Sequence, residues 1–277
     1  MSPLAKGVIV VLVLAGIGGG IYYWKTKQAP PPLAPVKVAE PTPPPPPPPP
    51  PPPDAAPVIA HPLERGEREP MPGLADSDEY IRKALMALLG KKGFLTFMNV
   101  DGFAKGFVAT VDNLGNEHAP PALWPVKTTA GRLEIEGSSA ATTIAARNQA
   151  RYTAFIRFIE AVDTGRAVAL YRRLYPLFQQ AYEDLGYPGK YFNDRVVAVI
   201  DNLVETPDVP APIKVKLEVV PGARPGTLPV YQFEDPALER RSAGQKLLLR
   251  MGSQNAAALK AKLRDIRGKI ARGPGGR

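Results

Sequence analysis

The sequence predicts a mainly α fold with a small antiparallel β component, an α+β domain preceded by a single-pass N-terminal transmembrane helix and a disordered polyproline linker. Three observations lead there. Apolar residues recur at helical spacing through most of the chain beyond residue 74. Stretches such as Ile213-Lys214-Val215-Lys216-Leu217-Glu218-Val219 alternate polar and apolar, the period of a half-buried strand. Residues 43–53 are eleven consecutive prolines, which have no amide hydrogens and cannot join a helix or a sheet. The chain therefore divides into a cytoplasmic N-terminus (1–7), a transmembrane signal anchor (8–24), a Pro-rich linker (25–73) and a mostly helical periplasmic domain (74–277) with a basic C-terminal helix.

Residues 8–24 are seventeen in number and uncharged. As a helix they span about 26 Å, the short end of a bilayer core. Lys6 precedes them, Lys25 and Lys27 follow, and Tyr22, Tyr23 and Trp24 sit where an interfacial aromatic belt belongs. A cleaved signal peptide is the competing reading, with Gly16-Ile17-Gly18 as a small-x-small site. The apolar stretch continues past that site to Ile21, which favours an uncleaved anchor. Flanking charge is nearly balanced; the short head and long tail fit a signal anchor with its N-terminus inside and the domain outside. Gly16 and Gly20 form a GxxxG pair, read either as a helix-packing face or as a loosely specified helix. The proline run then settles into polyproline II and extends roughly 34 Å as a semi-rigid spacer. Residues 63–69 are charged, bounded by Pro62 and Pro70, and read as disordered or briefly helical.

In the domain, Asp76 or Ser77 is the expected cap of a helix carrying Tyr80, Ile81, Ala84, Leu85, Leu88 and Leu89, with Gly90 as its stop. Phe94–Met98 is apolar and ambiguous in type. A second helix from near Asp101 carries Phe103, Phe107, Val108 and Val111. An extended passage follows, in which Trp124 is expected to pack into the domain, and then Arg132–Glu136 as a strand. Arg147–Asp163 places Tyr152, Phe155, Ile156, Ile159 and Val162 on one face. Thr164 is the expected cap of the next helix, whose stripe runs from Ala167 to Leu185. Pro176 within it should kink or split it near Leu174 or Tyr175. Gly186-Tyr187-Pro188-Gly189 turns the chain into a helix over 191–204, giving an antiparallel helical core. Residues 213–219 and 229–233 pair as strands, with 133–136 as a further member of one small sheet. The end is helical: 236–251, broken near Ser242, then 253–271 with Ala257, Leu259, Leu263, Ile266 and Ile270 as its stripe.

Composition excludes several chemistries. There is no cysteine, so no disulfide, thiolate metal site or cysteine nucleophile. His61 and His118 are the only histidines, which removes the usual catalytic zinc triads. No catalytic motif, cofactor-binding motif or metal site emerges. His118 beside two prolines reads as a structural hydrogen-bonder, and no spacing singles out a pair of carboxylates for glycosidase chemistry.

Two surfaces stand out as partner sites. Arg172, Arg173, Tyr175, Tyr182, Tyr187 and Tyr191 gather tyrosines and arginines at one helix and its turn, a chemistry that stacks on sugar rings or holds a peptide. The plainer reading, which weighs more, makes the tyrosines edges of the core and leaves the arginines solvated. From Leu238 onward eleven basic residues face two acids, which accounts for the whole formal charge of +9. Lys260, Lys262, Arg264, Arg267, Lys269 and Arg272 form the basic C-terminal patch, fit either for an anionic partner or as a solvated helix face.

Several segments carry a resemblance: Phe107–Leu114, Glu117–Pro120, Leu123–Val126, Tyr175–Tyr182, Leu185–Pro188 and Gly244–Gly252. On these the chain resembles a bacterial family of membrane-anchored proteins catalogued only as a domain of unknown function. The resemblance implies an anchor, a Pro-rich spacer and an envelope domain, and it supplies no catalytic residues. The layout is also similar to the energy-transducing TonB class, but this span has no ionisable residue for coupling and the domain is longer and more helical. The expectation is a non-enzymatic cell-envelope protein, held by residues 8–24 in the inner membrane, that binds an unknown envelope protein or cell-wall polymer and uses no cofactor. A peptidoglycan-acting or accessory cell-wall enzyme is the alternative; a cytosol-facing domain that binds nucleic acid through the basic end is the third reading.

Overall fold

The computed structural model describes residues 58–63, 70–138, 141–218 and 230–271. The expected anchor, the proline run, residues 64–69, residues 219–229 and Arg272 lie outside the described residues. The described residues all belong to the unit Ala55–Arg277.

The first apolar stripe folds as α1 (Asp78–Phe97) and buries Ile81, Leu85 and Phe94. Gly90 interrupts it at φ +71°, a left-handed conformation that costs glycine least, so the expected stop is there. The ambiguous segment after it is a further helical piece ending at Phe97. Neither Asp76 nor Ser77 caps α1, because Ser77 is itself helical at φ −81°, ψ −17° and its Oγ donates to the Leu74 carbonyl at 2.8 Å. Asp78 turns instead to the next helix, accepting from the amides of Gly102 (2.7 Å) and Phe103 (3.1 Å) at the start of α2 (Phe103–Leu114).

A 3-10 turn (Ala146–Gln149) leads into α3 (Ala150–Ala161). The cap of α4 (Thr164–Asp184) is Asp163, one residue before the expected Thr164: its Oδ1 accepts from the Arg166 amide at 2.7 Å, while Thr164 is buried. The split expected at Pro176 is absent, and α4 runs unbroken through it. Pro176 is exposed, so the carbonyl it leaves without an amide, one turn earlier on the same side, is not sealed in the core. Leu174, Leu177 and Phe178 are buried around it and fix both halves to the core. Gly186 and Gly189, both at positive φ, turn the chain into α5 (Phe192–Val204), which buries Phe192, Val196, Val199, Ile200 and Leu203. Asp235 caps α6 (Pro236–Glu239) and Ser242 caps α7 (Ala243–Arg250). The last helix is α8 (Ser253–Ile270).

The strands are β1 (Ile135–Glu136), β2 (Thr143–Ile144), β3 (Val215–Glu218) and β4 (Val230–Phe233). β3 and β4 pair antiparallel from Val215↔Phe233 to Glu218↔Val230. β1 pairs with β2, Ile135↔Ile144, not with β3. The single sheet expected from sequence is thus two ladders among the described residues, joined by one bridge, Thr143↔Lys214. The cause is local. Gly137 at φ +96° turns the chain back so tightly that a Cβ there would lie 2.2 Å from the Ala141 carbonyl oxygen, and β1 meets its neighbour before β3 is reached.

The largest core joins α1, α2, α4 and α5 around Phe103, Val108, Phe178 and Phe192 and takes in Ile270 at the end of α8. A second cluster packs Tyr152 and Ile156 against Val199, Leu203, Leu248 and Ala256. A third seats the β3–β4 ladder on Leu238 and Leu249. Each such side chain contributes roughly 1.5–3 kcal/mol by leaving water. Gly244 lets α7 approach closely: a Cβ there would sit 2.3 Å from Leu203 Cδ2 and 2.9 Å from the Leu114 carbonyl oxygen. α8 lies against α3, α4 and α5. With neighbours on several sides, its buried set is Asn255, Ala256, Lys260 and Ile270, and Ala257 of the expected stripe faces solvent. Trp124 is half-buried, with its indole Nε1 lacking a hydrogen-bond partner. No helix among the described residues is long and apolar enough to cross a membrane.

Candidate functional site

The tyrosine and arginine residues singled out by sequence do not form one surface. Most of them divide between two hydrogen-bonded clusters, both of which reach the first turn of α5, at Asn193 and at Arg195.

The first cluster surrounds Asn193, which is wholly buried. Its Nδ2 donates to the carbonyls of His61 (2.8 Å) and Ile270 (3.1 Å). Its Oδ1 accepts from the Tyr171 hydroxyl (3.1 Å), and its amide donates to the Tyr175 hydroxyl (3.1 Å). The Tyr175 hydroxyl in turn donates to Gln179 Oε1 at 2.9 Å. Tyr191, whose ring centroid lies 5.2 Å from that of Tyr175, accepts from the Leu63 amide at 3.0 Å. Asp194 completes the arrangement by taking the amides of Ala60 (3.0 Å) and His61 (2.8 Å) on its two oxygens. Residues 60–63, which the sequence assigns to the linker, are therefore held through their main chain by the first turn of α5. Burial pushes the Tyr171 and Tyr175 hydroxyls well above the ordinary tyrosine value, with Tyr191 adding to both shifts. Arg172 reaches the same region, its Nη2 donating to the Lys269 carbonyl at 2.9 Å.

The second cluster surrounds Asp112, 6% exposed on α2. Arg195 Nε meets Asp112 Oδ1 at 2.7 Å, and Arg195 Nη2 meets the Asp112 carbonyl at 2.7 Å. The Tyr187 hydroxyl donates to Asp112 Oδ2 at 3.1 Å, and its ring stacks on Tyr182 with centroids 4.6 Å apart. The hydrogen bond to Asp112 raises the Tyr187 pKa; burial raises that of buried Tyr182, with Asp112 adding to it. Arg173 lies over the Tyr80 ring at 5.7 Å.

The basic C-terminal helix is largely engaged within the domain. Lys260 is 5% exposed and donates to the Thr206 carbonyl (2.6 Å) and Asp208 Oδ1 (2.9 Å). Lys262 reaches the carbonyls of Glu160 (3.2 Å) and Val162 at the end of α3. Arg267 holds Asp201 with two contacts, Nε to Oδ1 and Nη2 to Oδ2 at 2.9 Å. Lys269 is 3.9 Å from Asp265 one turn back. Arg264 faces solvent.

A further group of polar side chains lies in a cleft where the chain after α2, the end of α5 and the α6–α7 junction converge. Buried Ser242 and Gln245 form its floor. Ser242 Oγ donates to Asn202 Oδ1 at 2.7 Å and Gln245 Nε2 to the Asn202 carbonyl at 2.7 Å. With its carbonyl oxygens so used, Asn202 has its Nδ2 donors left for a ligand. Arg241 reaches Gln245 Oε1 only at 3.5 Å, and its Nε is shut off from water without an acceptor. Exposed Arg240 and Glu117 also line the cleft, and their side chains make no hydrogen bond or ion pair with the described residues. Sequence reading missed this site because its residues come from three separated segments, none with a motif. The lone advance signal was Ser242 as a break in the helical pattern. Among the described residues no three His, Asp or Glu side chains are grouped to hold a metal ion.

A family model described as "Protein of unknown function (DUF3014)" matches residues 103–267, more than half of the chain. No curated protein and no solved structure matches it.

Proposed function

Because the chain belongs to the DUF3014 family of proteins of unknown function, we propose its role from its own geometry: it is a non-enzymatic, tethered binding protein of the cell envelope. Residues 8–24 anchor it in the inner membrane, the proline run carries the domain outward, and the periplasmic domain engages a protein or cell-wall partner. One observation carries this reading. The end of the linker is bound into the helical core by Asp194, Asn193 and Tyr191 acting on the main chain of residues 60–63. A spacer joined this way positions the domain and passes displacement to α5, where a loose joint would absorb it. The nucleic-acid reading has less to work with, since Lys260, Lys262 and Arg267 are tied to acceptors inside the domain.

Crosslinking in cells, followed by identification of the attached molecule, tests the proposal. An envelope protein or wall polymer is the expected product. Release of soluble fragments from peptidoglycan incubated with the purified chain would move the assignment to a cell-wall enzyme. A C-terminal reporter active only in the cytoplasm would defeat the periplasmic placement.

A further inference from the structure

The cleft between the chain after α2, the end of α5 and the α6–α7 junction has an excess of free donors and one free acid. Among the described residues Arg240 has no partner for its side chain, and Arg241 has only the 3.5 Å contact to Gln245. The Nε of Arg241 is closed off from water without an acceptor, an unfavourable state for a guanidinium N–H. A guanidinium presents its N–H groups as a planar fork that fits a carboxylate with two parallel bonds. The Asn202 Nδ2, left over after its oxygens accept from Ser242 and Gln245, suits an amide carbonyl. Glu117 supplies the one uncommitted negative charge on the rim. Two cations, an amide donor and a carboxylate in one open polar cleft match a ligand with the opposite set.

The geometry points to a receptor for the free carboxyl end of a short peptide that also carries an ammonium group. The carboxylate sits on Arg240 and Arg241, the last amide carbonyl on Asn202, and the ammonium on Glu117. This rests on the tethered-binding reading and specifies its ligand, since peptides with a free carboxylate and a free amine are what a cell-wall polymer offers and a neutral glycan does not.

Calorimetric titration of the full chain in detergent with the dipeptide N-acetyl-Lys-Ala tests this. Saturable binding is expected, weakened at least tenfold when the carboxyl end is amidated. Arg240→Ala, at an exposed position, should weaken binding of the free acid and leave the circular dichroism unchanged. Acetylating the lysine amine should weaken binding to the native chain, and Glu117→Gln should abolish the difference between the two forms. The proposal is overturned if the amidated dipeptide binds as well as the acid, or if neither gives heat at tens of millimolar. Should the dipeptide fail while crosslinking in cells still yields an envelope partner, the cleft assignment falls and the tethered reading stands. Dipeptide binding without any envelope partner gives the reverse.

Discussion

Both N–H groups and the carbonyl oxygen of the Asn193 side chain are used, and its partners are a linker carbonyl, the carbonyl ending α8 and a tyrosine on α4. Truncation would take these partners away from three polar groups, one of them fully buried and two partly buried. Asn193→Ala should therefore lower unfolding stability by roughly 2–4 kcal/mol, read from urea titration. A loss under 0.5 kcal/mol would mean that the network has little weight. The neighbouring tyrosines set the alkaline limit. The folded-state pKa values of Tyr171 and Tyr175 are raised above 10.0, so the folded chain holds these protons more tightly than the unfolded one. Stability from this source is complete below pH 10.0 and is lost as pH rises through that value toward the folded ones. Tyrosinate absorbance from these residues should appear together with loss of helical circular dichroism, above the pH at which exposed tyrosines titrate. Ionisation of every tyrosine near pH 10.0 in a folded chain would contradict this. The tyrosines were visible in the sequence as polar-tipped members of an apolar stripe. Asn193 was not, because an asparagine in the first turn of a helix reads as an ordinary solvated residue.

At the scale of elements, the helices were legible because each depends on neighbours three and four positions away. The stripe of α5 buries every residue its spacing indicated, and those of α1, α2 and α4 bury or half-bury theirs except Leu185, which is exposed at the end of α4. Legibility failed where two local rules competed. Pro176 disfavours a helix interior by about 3 kcal/mol, yet the buried flanks of α4 outweigh it. The helix is already intact there and the position is exposed, so Pro176→Ala should restore a backbone hydrogen bond and stabilise the domain by about 1–3 kcal/mol. A rise in melting temperature checks this; a fall would show that the proline shapes the helix in a way the fold needs. The caps failed for a similar reason. Asp78 has the composition of a first-turn acid, but its carboxylate serves the next helix. The short strands failed because Gly137 brings Thr143 and Ile144 to β1 ahead of the longer alternating segment.

For the molecule as a whole, the clasp moves the point of attachment from residue 74 to residues 60–63. Asp194→Ala removes the acceptor of two linker amides and should speed hydrogen exchange at Ala60 and His61 while the core amides keep their protection. Unchanged exchange at those two positions would sink the clasp. Shortening residues 43–53 should impair function in cells even when the chain is folded and anchored; full activity would reduce the run to a passive tether. The charge distribution changes meaning at the same scale. The sequence concentrates its whole excess of positive charge beyond residue 237, and much of the last helix's share is bonded internally.

The sequence by itself determined the helical majority, the glycine stop at Gly90, the turn at 186–189 and the strand pairing of 215–218 with 230–233. Each follows from φ restriction or periodicity, properties of residues close along the chain. Only the tertiary structure decided that Asn193 would meet a carbonyl 132 residues away at His61, that Lys260 would be buried, and that Glu117, Asn202, Arg240 and Arg241 would share a cleft. Those outcomes depend on the path of the chain through space. A polar residue's partner is set by where helices cross, and no local pattern encodes the crossing.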